Sequence, residues 1–409
     1  MNICISKHVT GTPDDIEINI DNSSCRNIPI IGSAGFEDLA RVYSIILPSF
    51  PSEPYRKCYK AFSGDISIPW KMCMPTEVYE RELSEYLRIV KTSLTDVDFS
   101  YYENVYTKTE LLFDVLEPVK INCSTYEEHL EDETKQGISV LRTFKPNQGG
   151  YASRVEYSKS STVTGRLKVT SGPNILHLNK DYRNILESKW KSDGSLVYLD
   201  YKSLEPRVLL VTNKLNSTSN VSYSGSLPRD IYQHIITELN LDGLVDREDI
   251  KTTIISLLYG ASRDSVIHRL KNIVESPNDL IDLVIEYFGL EALKNKLAQE
   301  YESSERRFIC NFYGRPIFCE NTSPSTLLNY YIQSTAVDAA LLGFQKIVDR
   351  LVSTNTLDVF SPRFILHDAL ILDVHNSVKH LVPKLCKLGE TIPYLGEEKF
   401  FLEDNSFVV

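Results

Sequence analysis

Residues 363–374 read RFILHDALILDV, an apolar strand-like run that is interrupted by His367 and Asp368. A single carboxylate buried inside such a run costs several kcal/mol unless it is paired or binds a metal ion. A hairpin that turns at these two residues removes that cost, because its tip can open onto a cleft. The run therefore predicts a β-hairpin with Asp368 at its tip. Asp373, further along, is either an additional metal ligand or, as we expect, a solvent-exposed residue past the strand end.

A second apolar run, LVYLDYKSLEPRVLL at residues 196–210, also places a carboxylate at the end of a strand. Residues 197–199 lead into Asp200, and the spacing of residues 204–210 is compatible with a helix that presents Glu205. Taken alone, Asp200 would be an ordinary helix-capping aspartate. Together with Asp368 it gives two carboxylates from distant strands, which can hold two Mg²⁺ ions about 3.5–4 Å apart for phosphoryl transfer.

Between the two runs lies a helical segment whose cations share one face. In DREDIKTTIISLLYG, at residues 246–260, Asp246 is a natural N-cap, and Arg247, Lys251, Ile255 and Tyr259 follow at i, i+4 steps. Two cations near the positive end of a helix dipole are unfavourable unless an anion binds there. A triphosphate would satisfy both, with Lys251 suited to protonate a pyrophosphate leaving group. The alternative is a solvated basic edge compensated by Glu248 and Asp249.

Composition favours a globular, reduced protein. The chain has 409 residues, of which 42% are hydrophobic and 24% charged, enough for two or three subdomains. Its eight cysteines form no CxxC pair, so we expect them to be free thiols. The sequence shows no signal-like start and no run of 18 or more apolar residues. We therefore expect an intracellular protein that does not contact the membrane.

The charge is unevenly distributed. The net charge is −11, yet residues 139–189 carry nine basic and three acidic side chains, which leaves −17 for the rest. A basic strip on an acidic body is typical of a protein that grips a nucleic-acid backbone in one groove. On charge alone, a solvated basic loop explains the strip equally well.

The order of elements predicts an α+β fold. Strand patterns around Asp200 and Asp368 enclose a polar linker at residues 213–228 and helical patterns at residues 230–300, and a last strand is expected within 400–409. This order implies a sheet with a helical subdomain inserted between the two carboxylate strands.

Four features upstream are also informative. An amphipathic helix is expected at residues 76–90, and Ser124 to Glu127 has the form of a capping box that opens a helix ending before Gly137. Residues 148–172 are Gly- and Ser-rich and predict a loop or an irregular ribbon. Asp15 and Glu17 form a D-x-E pattern like that of proofreading exonucleases, but too little chain lies upstream of the carboxylate motifs for such a domain.

These segments, in this order, resemble family A DNA polymerases, the family of bacterial DNA polymerase I. DYKSLEPR (200–207) is similar to motif A of that family, R-x3-K-x7-YG (247–260) to motif B and LHDALILDV (366–374) to motif C. TGRLKVTSGPN (164–174) and LLNYYIQSTAVD (327–338) resemble two further elements of the family. The resemblance covers about residues 140–409.

The resemblance implies a right-hand polymerase fold with an antiparallel-sheet palm, helical fingers and a helical thumb. Residues 1–70 would lead into the palm, with no role that we can assign. Residues 71–150 would form the thumb and the first palm segment, and 151–212 the palm with motif A. Residues 213–320 would form the fingers, and 321–409 the palm with motif C.

The resemblance also implies roles at the catalytic centre. Asp200 and Asp368 would bind two Mg²⁺ ions, for which Mn²⁺ can substitute, with the Tyr201 backbone carbonyl as a further ligand. Lys251 would act with them in catalysis. The residues expected at the incoming dNTP are Arg247 and Lys251 at the triphosphate, Glu205 under the sugar as the gate against a 2′-hydroxyl, and Ile255, Tyr259 and Tyr232 around the nucleotide.

A further set is expected to contact DNA. The minor groove shows an acceptor pattern shared by all correct pairs, so contacts there report pairing independently of sequence. The residues implied are Arg166, Asn174, Asn329 and Gln333 in the minor groove, His367 at the primer end, and Gly260 at the nascent base pair.

The chain departs from the family pattern at four positions. Ile255 stands where the family has Phe or Tyr, and Tyr232 stands at the usual His of a D-I-H element. Pro206 replaces an aliphatic residue, and Ala369 replaces the Glu that often follows the motif C aspartate. The motifs therefore supply two carboxylates, the minimum for the two-metal scheme, and we expect altered fidelity and rate.

The function expected from these observations is template-directed DNA synthesis on a primer 3′ end without intrinsic 3′-5′ proofreading. The expected partners are primer-template DNA and dNTPs, with a separate exonuclease or processivity factor, as for small phage polymerases. The location would be the cytoplasm, that of the host cell if the protein is phage-encoded. Alternatives are a single-subunit RNA polymerase-like enzyme and a non-catalytic polymerase-like accessory subunit; Glu205 argues against the first, and the retention of Asp200, Asp368, Arg247 and Lys251 against the second.

Overall fold

The computed structural model describes residues 2–12, 14–19, 28–31, 34–63, 69–131, 137–216 and 226–406. The chain divides into two compact units, Met1–Lys108 and Thr109–Val409. Within the described residues, no helix is long and apolar enough to span a bilayer.

The first unit combines a small sheet with helices. Its elements are β1 (Asn2–Ile5), α1 (Lys7–Thr10), β2 (Ile16–Asn19), β3 (Ile28–Ile31), α2 (Ala34–Tyr43), α3 (Glu53–Ser63), α4 (Trp70–Cys73) and α5 (Thr76–Ser93), followed by a π-helical turn at Tyr102–Tyr106. Strand β1 lies between β2, to which it is antiparallel, and β3, to which it is parallel.

Helix α5 confirms the amphipathic helix predicted at residues 76–90. It buries Tyr79, Tyr86 and Val90, and the ring of Phe50 lies 5.8 Å from that of Tyr79 and 5.4 Å from that of Tyr86. Asp15, of the D-x-E pattern, accepts a hydrogen bond of 2.8 Å from the backbone N–H of Lys7. This carboxylate therefore stabilises the start of α1, which is a structural role.

The second unit contains the segments that resemble the polymerase motifs. Its elements are α6 (Thr107–Asp114, which begins before the division), β4 (Lys120–Ile121), α7 (Cys123–Glu131), α8 (Ile138–Leu141), β5 (Glu156–Ser158), β6 (Lys168–Ser171), β7 (Leu186–Glu187), β8 (Gly194–Tyr201), α9 (Leu204–Leu215), α10 (Ile231–Glu238), α11 (Arg247–Leu258), α12 (Arg263–Leu270), α13 (Pro277–Phe288), α14 (Leu290–Ser303), β9 (Phe308–Cys310), β10 (Pro316–Phe318), α15 (Pro324–Ser353), β11 (Phe360–Leu366), β12 (Ala369–His375), α16 (Val382–Gly389) and β13 (Leu402–Ser406).

The central sheet has the order β11-β12-β8-β13, with every neighbouring pair antiparallel. Strands β11 and β12 form the predicted hairpin, and β13 confirms the strand expected within 400–409, of which 407–409 lie outside the described residues. The predicted helices at 230–300 are present as α10 to α14. Strands β8 and β12 pair although this helical block separates them in sequence, so the sheet with a helical insertion is confirmed.

Strand β8 is fixed against helix α15 by Tyr201. Its hydroxyl donates a hydrogen bond of 2.8 Å to the carbonyl of Gly389, and its ring lies 5.3 Å from that of Phe344. A Cβ at Gly343 would come within 1.8 Å of the same hydroxyl, so only glycine allows this close approach. These contacts of Tyr201 therefore fix the end of β8 that carries Asp200.

Asp373 is neither solvent-exposed nor available as a metal ligand, so our expectation for it was wrong. Its side chain is fully buried on β12 and pairs with buried Arg363 at 2.9 Å. It also accepts hydrogen bonds from the Ser188 hydroxyl at 2.6 Å and the Lys189 backbone N–H at 2.9 Å. The strand continues past Asp373 to His375, so this carboxylate faces the interior and balances an internal arginine.

Two further expectations need correction. The cap of helix α7 is Asn122 and not Ser124, since its Oδ1 accepts the backbone N–H of Thr125 at 3.2 Å and the Ser124 hydroxyl at 2.8 Å. The helix is described as far as Glu131, and 132–136 lie outside the described residues.

The basic strip is not wholly at the surface, because Lys159 is buried and pairs with Glu110 at 3.2 Å. The expected irregular ribbon is present as the β5–β6 pair.

Candidate active site

The two predicted carboxylates lie side by side at one end of the central sheet. Asp200 is the penultimate residue of β8 and pairs in register with Ala369, the first residue of β12. Asp368 occupies the hairpin turn just before it, and its carbonyl accepts the backbone N–H of Tyr201 at 3.2 Å. His367, at φ +57°, takes the left-handed conformation that this tight turn requires. The turn thus delivers Asp368 to the strand end that carries Asp200.

The electrostatics of the pair are those of two unneutralised anions. Burial, the Asp368 charge and the Glu403 charge raise the pKa of Asp200 to about 7. Burial also raises the pKa of Asp368, while nearby Arg166 acts in the opposite direction. Among the described residues, neither carboxylate forms an ion pair. Adjacent desolvated carboxylates that lack an ion-pair partner among the described residues are a fitting site for a cation.

The donor set suits a hard divalent cation, since both side chains offer carboxylate oxygens. The Tyr201 side chain turns away toward Gly389, so only its backbone lies beside Asp200. In the described part of the chain, no group of three or more His, Cys, Asp or Glu is arranged to hold a metal ion. An ion here would take its remaining ligands from backbone, water or substrate oxygens.

Beside Asp368 opens a cleft of about 430 Å³, which we call the Asp368 cleft. It gathers residues from α9, α10, α11, α15, the segment before β6 and the β11–β12 turn, which are far apart in sequence. The predicted site residues that line it are Arg166, Glu205, Tyr232, Ile255, Tyr259, Gln333, His367 and Asp368. The structure therefore brings most of the predicted nucleotide-binding residues to one cavity.

Within the Asp368 cleft, Glu205 is held by two neighbours. Its Oε2 accepts the Tyr259 hydroxyl at 2.8 Å, and its Oε1 lies 3.3 Å from the Arg166 guanidinium. Arg166 also donates to the Tyr259 hydroxyl at 3.2 Å. Burial raises the pKa of Glu205, although both hydrogen bonds oppose that shift. Burial and Glu205 raise the pKa of Tyr259 to about 12, so its hydroxyl keeps its proton and donates.

Arg247 and Lys251 lie on α11 but do not line the Asp368 cleft. The Arg247 Nε contacts Asp230 at 2.7 Å, and Glu248 bridges to Arg247 at 2.8 Å and to Lys251 at 3.1 Å. Asp246 caps the helix as expected, accepting the backbone N–H of Asp249 at 2.8 Å. Glu248 thus pairs with both cations, as the alternative of a solvated basic edge predicted. The second acid of that alternative, Asp249, is not the partner; Arg247 pairs with Asp230 instead.

Asp230 was missed by sequence reasoning as a partner of Arg247, and its position explains the contact. It caps α10 by accepting the backbone N–H of Gln233 at 3.2 Å. The segment before it is fixed by fully buried Arg207, which donates to the carbonyls of Pro228 at 2.6 Å and Arg229 at 3.0 Å. Arg247 also stacks at 5.3 Å over the Tyr232 ring, a cleft residue. Arg247 therefore stands at the rim of the cleft.

A second cavity of about 840 Å³, which we call the Asp200 groove, is lined by Asp200. It shares His367 with the Asp368 cleft, and burial lowers the pKa of that imidazole. Its further polar lining is Lys180, Asp181, Arg183, Asn184, Tyr198, Asp200 and Asn405. Of these only Asp200 was predicted as a site residue, although Tyr198, two residues before it, shares its face of β8 by strand alternation.

Glu403 is another residue that sequence reasoning missed. It pairs in register with Asp200 across β8 and β13, and its carboxylate contacts Lys202 at 3.0 Å and Arg229 at 2.6 Å. Asp200 therefore has Ala369 on one side and a carboxylate on the other. No local pattern in the sequence indicates this neighbour, because the pairing joins residues 203 positions apart.

Four predicted DNA-contacting residues need separate mention. Gln333 lines the Asp368 cleft and is hydrogen-bonded to Asn329, one helical turn away on α15. Asn174 does not line the cleft; its side chain is hydrogen-bonded to His177 at 3.0 Å. Gly260, at φ +77°, follows Tyr259 at the end of α11 and also lies outside the lining. Their proposed DNA contacts remain predictions.

Comparison with solved structures identifies the class of fold. The chain is similar to the POL domain of Pol1 from M. smegmatis in complex with DNA primer-template and dNTP, with a TM-score of 0.57 and 11% sequence identity. The match covers 90% of this chain and 81% of that chain. No protein-family model and no curated protein matches the sequence. The chain thus has a mixed helix-and-strand fold that resembles a DNA polymerase domain, and at this identity the likeness concerns the fold.

Proposed function

We propose that the chain is a template-directed DNA polymerase of family A that adds dNTPs to a primer 3′ end. The observation that carries the proposal is that Asp200 and Asp368 lie next to each other and each line a cavity, in a chain whose fold resembles a DNA polymerase domain. Among the described residues no ion pair accounts for either buried carboxylate, whereas phosphoryl transfer by two metal ions uses such a pair.

In this proposal the structural elements take the parts of a right-hand polymerase. The central sheet is the palm, residues 213–320 are the fingers, and residues 71–150 supply the thumb and the first palm segment. Residues 151–212 and 321–409 complete the palm, while residues 1–70 keep no assigned role.

Asp200 and Asp368 would hold two Mg²⁺ ions, or Mn²⁺ in their place, with the Tyr201 carbonyl as a further ligand. When bound, the ions activate the primer 3′-oxygen and neutralise charge on the leaving phosphate. The chain's own part is positioning. The hairpin turn fixes Asp368 against β8, and Tyr201 anchors β8 from behind. Both carboxylates are therefore preorganised before substrate arrives.

The two cavities offer separate sites for the two substrates. In-line transfer needs the attacking and leaving oxygens on opposite sides of the α-phosphorus. We place the dNTP in the Asp368 cleft and the primer end in the Asp200 groove, with His367 between them. Arg247, at the cleft rim, and Lys251, one turn further along α11, would bind the triphosphate, and Lys251 would protonate the pyrophosphate as it leaves.

Glu205 would select the sugar. It is held from two sides by Tyr259 and Arg166 and has a side chain only 17% exposed, so it cannot easily move away. A ribonucleotide 2′-hydroxyl in the Asp368 cleft would contact the Glu205 carboxylate and exclude water from it. Because Tyr259 and Arg166 already occupy the carboxylate oxygens, the hydroxyl would gain no compensating hydrogen bond. Tyr259, Gly260 and Tyr232 would border the nucleotide.

The remaining contacts would read the DNA. Arg166 and Gln333 already line the Asp368 cleft, and Asn329 supports Gln333. We propose that these three, with Asn174, contact the minor groove, and that His367 supports the primer end. Proofreading and processivity would come from separate proteins, and the enzyme would work in the cytoplasm, that of a host cell if it is phage-encoded.

Ile255→Phe tests nucleotide selection. Ile255 lines the Asp368 cleft without the flat ring usual at this position. We expect Ile255→Phe to change the ratio of dideoxy- to deoxynucleotide incorporation by severalfold, because a ring would pack against the sugar. Competitive incorporation of a ddNTP and the matching dNTP measures the ratio. A ratio equal to that of the wild type would defeat this assignment.

The experiment for the proposed function is extension of a labelled DNA primer on a DNA template with Mg²⁺, with dNTPs in one reaction and rNTPs in another. Extension that follows the template and requires dNTPs supports the proposal. Extension with rNTPs alone would favour the RNA polymerase-like alternative. Binding of primer-template without extension by either set would favour a non-catalytic accessory role.

A further inference from the structure

The first turns of α11 carry a carboxylate between the two cations proposed to bind the triphosphate. Glu248 places Oε1 2.8 Å from Arg247 and Oε2 3.1 Å from Lys251. Both oxygens of one anion are thus engaged by the two cations, much as two oxygens of a phosphate would be.

The three side chains differ in how firmly they are held. Arg247 also contacts Asp230 at 2.7 Å, and Asp230 is itself fixed as the cap of α10. Glu248 has no such anchor; its side chain is 66% exposed, and Lys251 is 44% exposed. Exposed ion pairs of this kind are weak. Asp230 therefore orients Arg247, whereas Glu248 can be displaced.

We propose that Glu248 is an internal competitor for the triphosphate, so that it sets the affinity of the site for its nucleotide. This inference rests on the proposed function for the role of the cations. A triphosphate that enters the Asp368 cleft displaces the Glu248 carboxylate from Arg247 and Lys251, and the carboxylate returns when pyrophosphate leaves. Weaker nucleotide binding and easier product release follow from the same contact.

Two exposed ion pairs correspond to about a three- to tenfold change in affinity. Glu248→Gln is therefore expected to tighten binding of inorganic tripolyphosphate to the full chain by this factor, measured by calorimetry without divalent cations. In primer extension, the KM for dNTP should fall by a similar factor with kcat unchanged or slightly lower.

Asp249→Asn is the matched control. Asp249 lies in the same first turn of α11, and among the described residues it forms no ion pair with either cation. Both substitutions remove one negative charge near the helix N-terminus, so both lose the same favourable interaction with the helix dipole. Only Glu248→Gln frees the cations.

The outcomes separate the two claims. Tighter tripolyphosphate binding in Glu248→Gln, with less than about a twofold change in Asp249→Asn, supports the competitor role. Unchanged binding in Glu248→Gln, or equal tightening in both variants, overturns it. If the wild type extends no primer while the binding difference is present, the polymerase proposal fails, and only the competition between Glu248 and a polyphosphate for Arg247 and Lys251 stands. If the wild type extends primers and the difference is absent, only the competitor role fails.

Discussion

Asp200→Asn is expected to lower primer extension by at least about a thousandfold and, at pH 8, to make the protein more stable. The loss of activity follows from removing one of the two proposed metal-binding carboxylates. The gain in stability follows because asparagine cannot ionise, and so does not place an unpaired charge beside Asp368 and Glu403. A residue whose replacement improves folding while removing activity is retained for function.

The pH dependence of this gain has a definite sign. The pKa of Asp200 is raised to about 7 in the folded protein, against about 3.9 in an unfolded chain. The folded state therefore binds the proton more tightly, and wild-type stability falls as the pH rises through this window. The advantage of Asp200→Asn should be about a third as large near pH 5 as at pH 8, where we expect a rise in unfolding midpoint of about 2–6 °C.

Thermal unfolding of wild type and Asp200→Asn at pH 5 and pH 8 checks this expectation. Asp404→Asn is the control, because Asp404 is an exposed aspartate on the neighbouring strand β13. Mg²⁺ should stabilise the wild type more than Asp200→Asn, which narrows the gap between them. A variant that is less stable than the wild type at pH 8, or that extends primers normally, contradicts the account of this carboxylate.

Asp373→Ala is expected to destabilise the protein by about 3–5 kcal/mol. The substitution leaves the Arg363 guanidinium buried with one anionic partner fewer, since that side chain is only 1% exposed. It also removes the acceptor for the Ser188 hydroxyl and the Lys189 backbone N–H. Chemical denaturation with urea measures the change.

Asp404→Ala serves as the control for this second expectation. Asp404 is an aspartate of the same sheet, but it is exposed, and changes at such positions usually stay within about 0.5 kcal/mol. If Asp373→Ala behaved like this control, Asp373 would be the solvent-exposed residue that its sequence position suggested.

Local patterns predicted the two strand ends that carry Asp200 and Asp368, and they predicted the helices. The position of Asp368 at a hairpin tip was predicted because His367 and Asp368 interrupt an apolar run. Asp246 was predicted as the helix N-cap from its residue type and its position before the helical pattern. The i, i+4 spacing placed Arg247 and Lys251 on one face, and their need for an anion was also clear from the helix dipole. Each of these inferences depends on residues within one or two turns of each other.

The residues that were missed have partners far away in the chain. Asp373 looked like the end of a strand, because nothing near it shows that Arg363 is buried opposite it or that Ser188 approaches from another element. Asp230 lies 17 residues before Arg247, and Glu403 reaches Asp200 only through the pairing of β8 with β13. Such contacts depend on how the sheet packs and where the helical insertion runs. Neither can be predicted from the spacing of neighbouring residues in the sequence.

We propose that Asp200 and Asp368 together catalyse DNA synthesis. The most direct test compares wild type and Asp368→Asn in single-turnover extension of a DNA primer-template with dNTPs and Mg²⁺, with primer-template binding followed by fluorescence anisotropy. The account predicts that the wild type extends the primer, and that Asp368→Asn binds the same DNA but extends it at least about a thousandfold more slowly. Extension by Asp368→Asn at a rate near that of the wild type would contradict it.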